Sequence, residues 1–97
     1  PHGLEIFLEE TTDEAADRRR LRRIRAALDR HQGDLPVDIV IDRGEPRPTR
    51  MRRGVGVNAQ TGESVIPELR ALLGVLGRVE ESGIAAPVER ELAAATV

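Results

Sequence analysis

Residues 12–41, TDEAADRRRLRRIRAALDRHQGDLPVDIVI, constrain the chain more than any other stretch, because they encode a helix followed at once by an apolar strand. At about 100° per residue, Leu21, Ile24 and Leu28 share one narrow arc with Ala27 and His31 beside it, so that arc is predicted to face a core. Arg19, Arg22, Arg23 and Arg30 fall on the opposite side with Arg18 on the flank. The solvent face is therefore expected to be a strip of guanidinium groups. Thr11 and Glu14 stand at capping-box spacing, and Asp13, Glu14 and Asp17 suit the positive end of the helix dipole. Gly33 is expected to end the helix, spanning about Thr12 to Gln32, in a left-handed conformation.

Strands are expected on either side of this helix. Leu4, Ile6 and Leu8 alternate, as do Val37, Ile39 and Ile41, which predicts two half-buried strands. A strand, a crossover helix and a strand make a right-handed βαβ unit with parallel strands. Asp42 to Glu45 reads as a turn. Pro46 and Pro48 withhold ladder donors and push Arg47 to Arg52 to a sheet edge. Arg53-Gly54 turns again, and Val55-Gly56-Val57-Asn58 is expected to complete a hairpin. Pro67 suits the first position of a second helix carrying Leu69, Leu72, Leu73 and Leu76, with Gly74 as an early stop. Arg78-Val79-Glu80 predicts a short last strand. The fold class is α/β in a two-layer α+β arrangement: a small mixed sheet of about four strands, a βαβ unit, a hairpin and a second helix on one face. Residues 1–81 form the module, and residues 82–97, with Ile84, Val88 and Leu92 at four-residue spacing, a tail or short helix.

The net charge of −2 conceals strong segregation: residues 1–17 hold six acids and no base, residues 18–53 twelve Arg against five acids, and residues 54–97 three Arg against six acids. A basic middle attracts an anionic partner locally, since screening limits each patch to about 8 Å at physiological salt. Lysine is absent, which either a GC-rich genome or selection for bidentate recognition of carboxylate and phosphate explains. Seven arginines are candidate interaction residues: Arg18, Arg19, Arg22 and Arg23 on the helix, and Arg50, Arg52 and Arg53 beyond the second strand.

Catalytic and cofactor signatures are missing. Without cysteine there is no disulfide and no thiolate zinc site. His2 and His31 stand 29 positions apart, and His31 suits the last helical turn as a cation at its C-terminus. Ser64 and Ser82 lie outside any nucleophile elbow. Asp38 and Asp42 share a face with Val40 and are read as solvent-face partners of Arg50 or Arg52 rather than as paired catalytic carboxylates. Gly54 to Ala59 alternates like a strand and opens no helix, unlike a dinucleotide loop. Phe7 is the one aromatic, so nucleic acid would be held by phosphate contacts without base stacking. No cofactor, metal or small-molecule substrate is expected. No apolar run reaches the roughly 20 residues of a membrane span, no signal peptide is read at the start, and a cytoplasmic location is expected. A first residue Pro1 without Met reads as a fragment of a longer protein.

The run LRRIRAALDRHQGDLPVDIVI, then RRGVGVNAQ, then IPELRALLG, resembles the extreme C-terminal region of the alpha subunit of bacterial DNA polymerase III, over Leu4 to about Glu80. In that family a long basic helix ends in a His-x-Gly-x-x-Pro-Val turn, a strand and a hairpin follow, and a Leu-Arg-x-Leu-Leu-Gly helix closes the unit. The resemblance implies a non-catalytic module of a DNA-directed DNA polymerase that docks onto other replisome subunits, above all clamp-loader tau, during DNA replication. The family's metal-binding acids, its single-strand-binding OB-fold and its clamp-binding peptide have no counterpart here. Two alternatives are a module that tracks DNA phosphates and a free-standing small α/β regulatory domain.

Overall fold

Alternation of side chains decides the sheet. A computed structural model of the chain describes residues 3–58 and 62–82. β1 (Gly3–Glu9) buries Leu4, Ile6 and Leu8 on one face and turns Glu5 and Phe7 to the other. β3 (Val37–Asp42) does the same with Val37, Ile39 and Ile41. The two run parallel with Leu4 opposite Val37 and Leu8 opposite Ile41. Two further bonds, from Leu4 N–H to Pro36 O (2.9 Å) and from Glu10 N–H to Asp42 O (2.9 Å), prolong the ladder at both ends.

α1 (Glu14–Asp29) makes the crossover and buries Ile24, Ala27 and Leu28, with Leu21 half-buried, as the apolar arc requires. Its cap differs from the expected one. Asp13, in extended backbone, accepts the Ala16 N–H at 3.0 Å. Thr11 lies too early to cap: its hydroxyl accepts the Asp13 N–H at 3.1 Å and donates to Asp17 at 2.7 Å.

The other helix end also departs from expectation. The last helical residue is Asp29, Arg30 keeps right-handed geometry, and Gly33 has no positive φ. Gly33 lies instead in β2 (Gln32–Gly33), which pairs antiparallel with β5 (Gly56–Val57) in a separate two-stranded sheet. A Cβ at Gly33 would stand 2.2 Å from Asn58 Cα, and one at Gly56 2.2 Å from Leu35 O. Close backbone approach, not left-handed geometry, explains both glycines. Flanking bonds extend this clasp: Asn58 N–H to His31 O (2.7 Å), Leu35 N–H to Val57 O (2.7 Å) and Val57 N–H to Leu35 O (2.8 Å). His31 thus serves the clasp through its carbonyl.

β4 (Thr49–Arg52) forms an antiparallel hairpin with β3 and is an edge of the four-stranded sheet, ordered β4-β3-β1-β6. The Val55–Asn58 segment does not continue this hairpin, since its partner is the chain just after α1. The β3–β4 turn is locked by Gly44, at φ +80°, whose N–H donates to Asp42 Oδ1 at 2.9 Å.

α2 (Gly62–Leu73) starts before Pro67, which lies inside it. Val65 is fully buried on the same face as Leu69, one turn on, so its burial extends the helix upstream of the proline. Gly74, at φ +58°, ends α2 as expected, and a 3₁₀ turn over Gly74–Leu76 leaves Leu76 outside the helix. β6 (Gly77–Ser82) then pairs antiparallel with β1 along six residues, longer than the three-residue strand predicted. Its backbone ladder, rather than an apolar repeat, defines it: Val79 alone joins the core.

α1, α2 and the inner sheet face enclose a single apolar cluster, with Leu35 and Val57 of the clasp at its margin. This is a small mixed α/β fold with both helices on one side. Ser82, the first residue of the predicted tail, belongs to β6; residues 83–97, with Ile84, Val88 and Leu92, lie outside the described residues, as do His2 and residues 59–61. No helix among the described residues is long and apolar enough to cross a membrane.

Candidate protein-docking interface

The outer face of α1 presents Arg18, Arg19, Arg22 and Arg23, all exposed. Each is one turn from another, so the four form two adjacent i, i+4 ridges. Among the described residues none of them has an ion pair or side-chain hydrogen bond. Even Glu14, one turn before Arg18, makes no ion pair with it.

The nearby carboxylates are held by other partners. Asp17 accepts the Thr11 hydroxyl, the Thr11 N–H at 2.9 Å and Arg20 Nη1 at 3.1 Å. The Thr11 hydroxyl bond above all, then the Thr11 amide and Arg20, keeps the Asp17 carboxyl below its usual range despite partial desolvation. Arg20 is thereby drawn toward the protein and stays half-buried. At the other end Arg30 pairs with Glu68 of α2, and Arg53 Nη2 donates to Asp29 Oδ1 at 2.6 Å. Both ends of α1 are therefore fixed by polar contacts, while its middle arginines are left for solvent or a partner.

Beside this strip lies a shallow groove of about 300 Å³ between the helices, lined by Ala16, Arg19, Arg20 and Arg23 of α1 and by Ala71 and Leu72 of α2. Its lining combines cationic and apolar groups. A smaller recess of about 160 Å³ opens beyond the C-terminal ends of β1 and β3, floored by Leu8, Leu21 and Ile41 and rimmed by Glu9, Glu10, Glu14, Arg18 and Arg43. That volume is below the roughly 300 Å³ at which small-molecule pockets begin.

The second predicted arginine cluster occupies a different surface. Arg50 and Arg52 stand on the outer face of the sheet, opposite the helices. Asp38 accepts Arg52 Nε at 2.5 Å and Arg50 Nη1 at 3.1 Å, and Glu5 accepts Arg50 Nη1 at 2.6 Å. Hydrogen bonding from Arg52 is the main reason that the Asp38 carboxyl lies below its usual range. Asp38 is thus the cross-strand partner that its strand face suggested. Arg53 belongs to neither surface: its side chain is only 15% exposed, and its N–H donates to Val37 O at 2.9 Å.

The seven arginines therefore divide into four open ones on α1, two engaged on the sheet face and one tucked between α1 and the β4–β5 connection. Sequence reasoning did not find Glu5 or the Thr11–Asp17–Arg20 group. The signal for Glu5 was present, since it shares the outer strand face with Asp38. Among the described residues no group of three His, Asp or Glu side chains converges to hold a metal ion.

Comparison with known proteins adds no relative: no family model, curated protein or solved structure matches the chain.

Proposed function

We propose that this chain is the C-terminal docking module of a bacterial DNA polymerase III alpha subunit, a non-catalytic unit that attaches the replicative polymerase to clamp-loader tau. The observation that carries a docking role is the α1 strip: four adjacent arginines on a helix fixed at both ends, with no described partner. Because the helix is already formed, binding of these cations to an acidic surface costs only the ordering of their side chains, about 0.5–1.5 kcal/mol each, and nothing for the backbone. The family assignment rests on the order of motifs along the chain. In this fold the His-Gln-Gly and Gly-Val-Gly-Val-Asn motifs are the two halves of one clasp, and the Leu-Leu-Gly motif ends α2 at its left-handed glycine.

The test compares wild type with Arg18→Gln/Arg19→Gln/Arg22→Gln/Arg23→Gln in titrations against clamp-loader tau and against duplex DNA, at several salt concentrations. The variant should melt with the wild type, because exposed charges contribute only about 0–1 kcal/mol each. Docking predicts wild-type binding to tau that the variant loses. Phosphate tracking predicts instead a DNA affinity whose logarithm falls with log salt at a slope near −3.6, about −0.9 for each of the arginines removed. Absence of tau binding by the wild type would refute the assignment.

A further inference from the structure

The four-stranded sheet has two edges, and they differ in what a second copy would meet. β4 carries Arg50 and Arg52 on its outer face and follows Pro46 and Pro48. Pairing β4 with itself about Met51 sets Arg50 against Arg52, and pairing about Arg50 sets Arg50 against itself. Like charges directly opposite each other disfavour both registers. Such an edge resists self-association.

β6 is the opposite case. β1 lies on one side of it, and no described strand lies on the other. Its outer face carries Arg78 and Glu80, its inner face Val79. We infer that β6 pairs antiparallel with β6 of a second copy about a two-fold axis through Val79, joining the two sheets into one of eight strands. In this register Arg78 stands opposite Glu80 of the other copy and Glu80 opposite its Arg78, so two reciprocal ion pairs form on the outer face. Val79 meets its own copy on the core face. Glu81 meets Gly77 and confronts no charge. Shifting the axis to Glu80 sets glutamate against glutamate, and shifting it to Arg78 sets arginine against arginine. One register alone of these three is free of like-charge opposition.

An axis through a residue, rather than between two, also keeps the helices of both copies on the same side of the joined sheet. The apolar layers then meet edge to edge. Pairing exchanges an ion pair within each strand for one between copies. Arg78 lies over the Phe7 ring at 4.1 Å and bonds Glu80 of its own strand at 2.6 Å, with its side chain 63% exposed. The association is isologous, each copy giving the same five residues to the other. It is also small, below the roughly 1,200 Å² typical of stable complexes, so it belongs with weak, concentration-dependent dimers. The proposal is independent of the polymerase assignment and uses a surface remote from the arginine strip.

The test is sedimentation equilibrium of the 97-residue chain and three variants, from about 10 μM to about 1 mM, the range in which a weak dimer populates. Wild type should dimerise in that range. Glu80→Arg leaves arginines opposite arginines and should weaken dimerisation at least about tenfold, as should Arg78→Glu with glutamates opposite glutamates. Mixing these two variants restores both ion pairs and should restore the dimer. The double exchange Arg78→Glu/Glu80→Arg is self-complementary again and should dimerise like wild type. Glu80→Arg keeps Arg78 and its contact to Phe7, so it tests the proposal even if the variants that replace Arg78 fail to fold. A wild type that stays monomeric to about 1 mM, or Glu80→Arg dimerising as the wild type does, would overturn it.

Discussion

Gly56→Ala should destabilise this protein although the substitution adds one methyl group on a two-residue strand. An ideal Cβ at Gly56 stands 2.2 Å from Leu35 O, 2.8 Å from Leu35 C and 3.1 Å from Gly33 O. All three are backbone atoms, so no rotamer change relieves the contact. Leu35 O is also held in place by the Val57 N–H at 2.8 Å. Two responses are open to the chain. If the strands shift slightly apart and keep their pairing, the cost is that of overpacking, about 1–3 kcal/mol. If the clasp opens, the two Leu35–Val57 hydrogen bonds are lost at about 0.5–1.5 kcal/mol each. Opening also uncovers Val57 and Leu35, now 0% and 8% exposed, at about 1.5–3 kcal/mol per side chain fully exposed. The first response is cheaper, and with a contact as short as 2.2 Å its upper range applies. The net loss should be about 2–3 kcal/mol, after a small offset from the lower entropy of an unfolded chain with one glycine fewer. Urea denaturation reads this as a midpoint lowered by roughly 1–1.5 M at an m-value of about 2 kcal/mol/M. Gly54→Ala is the control: nothing lies within 4 Å of its Cβ and its φ is not positive, so it should be neutral or slightly stabilising. If Gly56→Ala melts with Gly54→Ala, the clasp does not hold the two segments at this distance, and the reasoning fails.

Ile24 is 0% exposed between α1 and the sheet, so Ile24→Ala should cost about 2–5 kcal/mol in the same assay; an unchanged midpoint would refute the orientation of α1. Asp38→Asn removes the carboxylate that pairs with Arg52 and Arg50. Because hydrogen bonds from Arg52 hold that carboxyl below 3.8 in the folded state, its contribution is complete above the unfolded value and disappears as pH falls through the folded one. The variant should therefore be less stable than wild type at pH 7, with the gap closing below about pH 4. A gap that is constant from pH 7 to 2 would show that ionisation of Asp38 is irrelevant to it.

Much of the fold follows from short-range pattern. The period of two in Gly3–Glu9 and Val37–Asp42, and the period near 3.6 in α1, each place apolar groups on one side, and water dictates which side is buried. Two prolines before β4 and a glycine after α2 set an edge and a helix end through local backbone geometry alone. That α1 turns an arginine face to solvent was legible for the same reason: it is the complement of the apolar arc.

What lay beyond the sequence was every feature decided by groups distant along the chain. Gly33 and Gly56 are 23 positions apart, and a glycine required for close approach looks in sequence like a glycine required for a turn. β6 carries one core residue and little periodicity, because an edge strand needs backbone partners more than apolar ones. The division of the arginines is the clearest case. Arg50 reaches Glu5 across 45 positions, Arg30 reaches Glu68 across 38 and Arg53 reaches Asp29 across 24. Local sequence gives each arginine its charge and its face; only the tertiary structure decides which carboxylates come within reach, and so which arginines remain open on α1.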